Sequence, residues 1–132
     1  MAESGFPSVL LTWLPVGLGG FVGAVLRYAI SSWAEDRFAR PWPLGTLLVN
    51  VAGCLLIGAA MAWVDREVLG PQLRLFLVTG VLGALTTFST FSWDTLLLAR
   101  SGRFDAALVN VAANTILGLG AATLGFWLTH RS

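Results

Sequence analysis

The sequence predicts an all-α integral membrane protein built from four transmembrane helices, and three observations carry that prediction. Charged residues make up only 11% of the 132-residue chain and hydrophobic ones 56%, with a mean hydropathy of +0.78. A soluble domain is charged at roughly a quarter of its positions. Asp, Glu, Lys and Arg are absent from four stretches, 4–26, 41–64, 75–93 and 106–129. Each approaches or exceeds the ~20 residues that a helix needs to cross the hydrocarbon core. Turn-forming residues fall between the stretches: Pro41 and Pro43, then Gly70-Pro71, then Ser101-Gly102. We therefore expect one domain over 1–132, embedded in the lipid bilayer, with helices near 8–33, 44–64, 72–99 and 104–129.

The first span could be mistaken for a signal peptide. Its N-terminus, "MAESGFPS", has no basic residue, and no small-residue cleavage site follows a short apolar region, so a retained helix is expected. Its small stripe runs Gly20, Gly23, Ala24, Arg27 and overlaps the GxxxG pair Gly19 and Gly23. Small residues let backbones approach closely, which is how helices associate in lipid without a hydrophobic drive. Arg27 lies near the end of the span, where snorkelling to the interface is its default role. The functional alternative is a fixed positive charge at the vestibule of an anion path.

The second span carries Thr46, Asn50, Gly53, Cys54 and Gly58 at helical spacing. Asn50 has apolar sequence on both sides, and an unpaired amide in hydrocarbon is costly. It serves either as interhelical glue or, with Thr46 one turn away, as part of a polar passage. Cys54 is the single cysteine, so no disulfide forms within one chain, and it reads as a small packing residue.

The third span contains a hydroxyl-rich stretch between two apolar runs, "TTFSTFSWD" at 86–94. Five of the seven residues from Thr86 to Ser92 carry hydroxyls. Hydroxyls compete for backbone hydrogen bonds, which favours a local break in the helix. Irregular backbone at membrane depth is tolerated only when buried in protein or lining a wet cavity. Phe88 and Phe91 are three apart and share a face, either as core or as ring edges along an anion path. Asp94, near the end of the helix, reads as a capping or pairing group. The fourth span carries Asn110 and Asn114 one turn apart, then Gly118, Ala121, Ala122 and Gly125. The two amides either add to the passage or tie neighbouring helices.

All eight basic residues are Arg. Arg66 and Arg74, in the second loop, share a side with the C-terminal Arg131; Arg37, Arg40, Arg100 and Arg103 oppose them. That near tie leaves the positive-inside rule without a choice of orientation. Insertion both ways up would permit an antiparallel dimer of one sequence.

Four segments resemble the Fluc/CrcB fluoride channels: "GGFVGAVLRY" (19–28), "PLGTLLVNVAGCLLIG" (43–58), "GVLGALTTFSTFSWD" (80–94) and the small, polar fourth span. The resemblance runs through all four spans, and the third motif is long and unusual. It implies an antiparallel dual-topology homodimer with two fluoride pores, in the inner membrane of a bacterial-type cell, lowering fluoride toxicity by passive export. It implies a break in the third helix at "TTFST", with Phe88 and Phe91 in contact with fluoride and Asn50 lining the pore. Ser89, Thr90 and Ser92 would form a hydroxyl track with Thr46 nearby. Arg27 would stand at the vestibule, and the carbonyls of Gly83 and Thr86 would hold a structural Na+ at the dimer centre. The chain departs from the family pattern at Asn110 and Asn114, where some members have Tyr and Ser, at Gly118 for another Ser, at Ala84 for Gly and at Asp94 for Glu. No enzymatic activity and no nucleic-acid partner are expected. A proton-coupled multidrug exporter is the main rival, but it needs a carboxylate near the centre of a span, and none is present here.

Overall fold

The computed structural model describes residues 6–38 and 42–131. Arg40 and Pro41, which entered the charge comparison and the first turn, lie outside them. Every element among the described residues is helical: α1 (Phe6–Phe38), α2 (Leu44–Asp65), α3 (71–85), α4 (Phe88–Arg100) and α5 (Phe104–Arg131). α3 and α4 together make one span, Pro71–Arg100, so four helical segments are long and apolar enough to cross a membrane. The protein is a multi-pass membrane protein.

α1 runs on past 33 to Phe38 because residues 29–38 contain no glycine or proline to stop it. Its last turns carry Glu35, Asp36 and Arg37 beyond the apolar stretch, and Trp33 meets Phe38 edge-on at 5.9 Å. α3 begins with Pro71 at its first position, where the missing N–H costs nothing. Over Leu75–Leu82 it is wound as a π-helix, an unusually long stretch of this wider turn. That widened stretch supplies most of the packing of α3 along α1.

Glycines set the distances between these helices. A Cβ on Gly19 would run into the Phe76 carbonyl oxygen, and one on Gly23 into that of Val81. From the other side, a Cβ on Gly80 would lie 2.8 Å from the Gly19 Cα. The GxxxG pair thus puts the α1 backbone directly against α3. α2 and α5 repeat the device reciprocally: a Cβ on Gly58 would meet the Ala122 carbonyl oxygen, and one on Gly125 would meet that of Leu55. Arg66 then donates to the Thr129 carbonyl at 3.1 Å, satisfying an orphan acceptor near the end of α5.

Two apolar clusters fill the interior. Val49, Ala60, Leu82 and Leu85 join α2 to α3 at the centre. Leu98, Ala106 and Ala107 close one end under Trp42, whose indole N–H reaches the Ala106 carbonyl at 3.5 Å. Large side chains such as Phe21, Leu108 and Ile116 remain exposed, as a lipid-facing surface requires.

The packing predicts a contrast between two glycines of α5. A Cβ on Gly125 meets backbone, whereas one on Gly120 meets nothing within 4 Å. Gly125→Ala should lower the melting temperature of the detergent-purified protein, at a cost of about 1–3 kcal/mol from overpacking. Gly120→Ala should leave it unchanged or raise it slightly. Equal effects would contradict the α2–α5 contact.

Candidate functional site

The third span stops being a helix at two residues. Thr86 (φ −79°, ψ 152°) and Thr87 (φ −147°, ψ 113°) are extended, ending α3 and starting α4. Thr86 finishes the upstream end, its N–H and hydroxyl both bonding the Leu82 carbonyl, at 3.2 and 3.1 Å. Thr87 caps the downstream end: its hydroxyl oxygen accepts the Thr90 N–H at 3.2 Å and donates to the Thr90 hydroxyl at 3.0 Å. The Ser89 hydroxyl lies 3.3 Å from the same oxygen.

Asn50, from α2, bonds both peptide groups of Thr87 at the break. Its Oδ1 accepts the Thr87 N–H at 2.8 Å, and its Nδ2 donates to the Thr87 carbonyl at 3.3 Å. A buried backbone group left without a partner costs about 1–3 kcal/mol, a penalty that Asn50 removes for the Thr87 N–H, while the Thr87 carbonyl, as the N-cap, also accepts the first bond of α4. The break is therefore built jointly by the hydroxyls of α4 and an amide from α2.

This arrangement redirects two helical donors. In an unbroken helix the Thr87 N–H would bond the Gly83 carbonyl, and the Thr90 N–H would bond the Thr86 carbonyl. Here Asn50 takes the first and the Thr87 hydroxyl takes the second. The Gly83 and Thr86 carbonyls are thus two of the acceptors at the break that lose their i+4 donors. Gly83 is exposed and Thr86 half-buried.

From Asn50 the hydrogen bonds continue into α5. Its Nδ2 donates to Asn114 Oδ1 at 2.9 Å, and Asn114 Nδ2 donates to the Asn110 carbonyl and to Asn110 Oδ1, at 3.0 and 3.2 Å. Asn110 is fully buried, and its Nδ2 donates to Thr95 Oγ1 at 2.9 Å. Thr95 returns the chain to α4 by donating to the Phe91 carbonyl at 2.7 Å. Separately, Thr46 on α2 donates to Asp94 Oδ2 at 2.7 Å.

Two cavities flank the first turn of α4. One, of about 340 Å³, is lined by Asn50, Gly53, Cys54, Ile57, Leu82, Thr86, Thr87, Phe88, Phe91, Asn114 and Thr115. No residue in that lining is charged. The other, of about 580 Å³, includes Thr46, Thr90 and Asp94, with Glu35 and Arg103 also in its wall. The rings of Phe88 and Phe91 lie 5.5 Å apart, tilted by 50°. Phe88 is 79% exposed, so in this chain it is not core.

The residues singled out from the sequence divide accordingly. Asn50, Asn114, Phe88 and Phe91 meet at the first cavity, and Thr46 and Thr90 at the second. Asn110 is drawn in only through Asn114 and Thr95. Ser89 and Ser92 are exposed on α4, and the Ser92 hydroxyl donates to the Phe88 carbonyl at 2.8 Å. Arg27 is half-buried on α1 and lines neither cavity. Sequence reasoning gave no role to Thr87 or Thr95. Thr87 had a legible signal, a threonine immediately before a helical turn. Thr95 had a fainter one, lying one turn beyond Phe91 on the same face.

Comparison with known proteins places this geometry. A family model described as CrcB-like protein, Camphor Resistance (CrcB), matches residues 14–126. A protein of Clostridium perfringens named fluoride-specific ion channel FluC is 45% identical over 116 residues, covering 87% of this chain and 88% of that one. The fluoride-specific ion channel FluC of Shewanella amazonensis is 47% identical over 117 residues, covering 89% and 94%. One of Campylobacter jejuni with the same name is 45% identical over 118 residues, covering 89% and 97%.

Proposed function

The chain belongs to the CrcB family, and from that premise we propose that it is a fluoride-selective channel, not an enzyme, which lets cytoplasmic fluoride leave the cell passively. One observation carries the reading to this chain: an uncharged cavity beside a broken transmembrane helix, lined by Asn50, Thr87, Asn114 and the two phenylalanines. Fluoride is small and strongly hydrated, so a pathway must replace its water with many donors. Amides and hydroxyls do so without a fixed positive charge that would trap the ion, and conduction needs binding that is favourable yet escapable. The positive edges of Phe88 and Phe91 add to that set. Thr46, Ser89, Thr90 and Ser92 extend it as a hydroxyl track, and Arg27 supplies a positive charge at a vestibule.

Phe88 and Gly83 are both exposed near the middle of the third span. The reading therefore includes a second copy that covers them, in an antiparallel homodimer with two pores. The near tie of arginines across the two sides supports insertion in both orientations.

The dimer centre in this reading holds a structural Na+. The residues fit such an ion: Gly83 and Thr86 offer carbonyl oxygens, hard neutral donors, and both have lost their helical N–H partners. Such an ion would tie the two broken helices together and supply a fixed positive charge between the pores.

Liposomes carrying the purified protein should pass fluoride and exclude chloride, and equal passage of both would reject selectivity. Phe88→Ile and Phe91→Ile should each cut fluoride flux by about tenfold or more while the dimer elutes unchanged. A C-terminal tag should be reachable from both faces of the cell membrane. Labelling from one face alone would contradict dual topology.

A further inference from the structure

Most of the side-chain protons on the wall of the first cavity are already committed. Asn50 Nδ2 donates to the Thr87 carbonyl and to Asn114 Oδ1, and Asn114 Nδ2 donates to the Asn110 carbonyl and to Asn110 Oδ1. An amide NH2 has two protons, so each of these amides has met an oxygen with both. The Thr86 hydroxyl is spent on the Leu82 carbonyl and that of Thr87 on the Thr90 hydroxyl. Each of these groups must release an oxygen before it can meet an anion.

Thr115 differs. It lines the same cavity from near the middle of α5, and its hydroxyl has no hydrogen-bond partner among the described residues. A threonine that faces lipid from a helix can hide its hydroxyl on the carbonyl one turn back. Thr123, exposed about two turns further along α5, does so on the Leu119 carbonyl at 2.9 Å. Thr12, exposed on α1, does so on that of Ser8 at 3.2 Å. Thr115 is exposed as well, yet its hydroxyl is not turned back on its own helix. A bare hydroxyl is costly in hydrocarbon and is relieved where water or an ion meets it. Thr79, on α3, also leaves its hydroxyl unpartnered among the described residues but lines neither cavity; Thr115 combines the free donor with a place on the wall.

We propose that Thr115 is a further anion-contacting residue of this chain: its hydroxyl donates a hydrogen bond to fluoride passing the first cavity, where the amides beside it are tied to oxygens. The proposal rests on the channel reading above. Because Thr115 donates without disturbing Asn50, the Thr87 N–H keeps its partner while an ion passes.

The test is fluoride efflux from liposomes carrying wild type, Thr115→Val, Thr115→Ser or Thr123→Val, with dimer elution as the assembly control. Valine keeps the shape and loses the hydroxyl, while serine keeps the hydroxyl and loses a methyl. Thr115→Val should lower flux by about tenfold, the size of effect of one hydrogen bond to a charged group. Thr115→Ser should stay within about twofold of wild type, and so should Thr123→Val, whose hydroxyl is spent on its own helix. Thr115→Val at wild-type flux would leave Thr115 as a lipid-facing residue and overturn the proposal. Thr115→Ser as slow as Thr115→Val, or Thr123→Val equally slow, would overturn it too, since bulk or a general loss of hydroxyls would then explain the effect. Should Thr115→Val not assemble, Thr115→Ala takes its place: lowered flux beside a near-normal Thr115→Ser supports the contact, and wild-type flux overturns it. A wild type that passes no fluoride would instead reject the channel reading itself.

Discussion

A transmembrane helix that stops in mid-span must find partners for its freed peptide donors without help from water, and here the Asn50 amide takes the Thr87 N–H. It accepts the Thr87 N–H and donates to the Thr87 carbonyl. Without that contact the Thr87 N–H would be left bare at membrane depth, and the span would do better as continuous helix. The rest of the site follows from the clamp. It starts α4 where it does, it opens the cavity beside Phe88 and Phe91, and it takes from Gly83 the donor that would have covered its carbonyl.

The clamp works only if α2 stands close to the break, and the glycines hold it there. Gly53, one turn from Asn50, lies so close to Thr86 that a Cβ would collide with the Thr86 methyl. Gly58 and Gly125 hold α2 on α5, which brings Asn114 within reach of Asn50. Gly19, Gly23 and Gly80 hold α1 on α3. Backbone contact in lipid thus does the work that a hydrophobic core does in water, and it spaces the helices so that short amide side chains can bridge them. Every buried side-chain polar atom among the described residues has a partner, as a low-dielectric interior demands.

The four spans were legible because charge-free length is a coarse and dependable signal, and hydroxyl density marked the break in the third. Element ends were less so: α1 continues to Phe38 because no breaker intervenes, although its apolar character fades earlier. The π-helical stretch Leu75–Leu82 has no signature in the run "LFLVTGVL". Within the site, Asn50 stood out as a polar group that had to bond something, yet its partner could not be read, because that partner is backbone 37 residues away. Thr87 was one hydroxyl among five, and it is set apart by its bonds to Asn50 and to the Thr90 N–H. Thr95 left only a faint trace, because its partner Asn110 lies across a turn, on another helix.

The clamp itself is open to direct measurement through amide hydrogen exchange in lipid nanodiscs, comparing wild type with Asn50→Ala. The Thr87 amide should be protected in wild type and should exchange at least about tenfold faster in the variant. Leu98, in the same helix but packed at the far cluster, should be unaffected. If the Thr87 amide is equally protected in both proteins, its donor does not depend on Asn50, and the helix break does not rest on this contact.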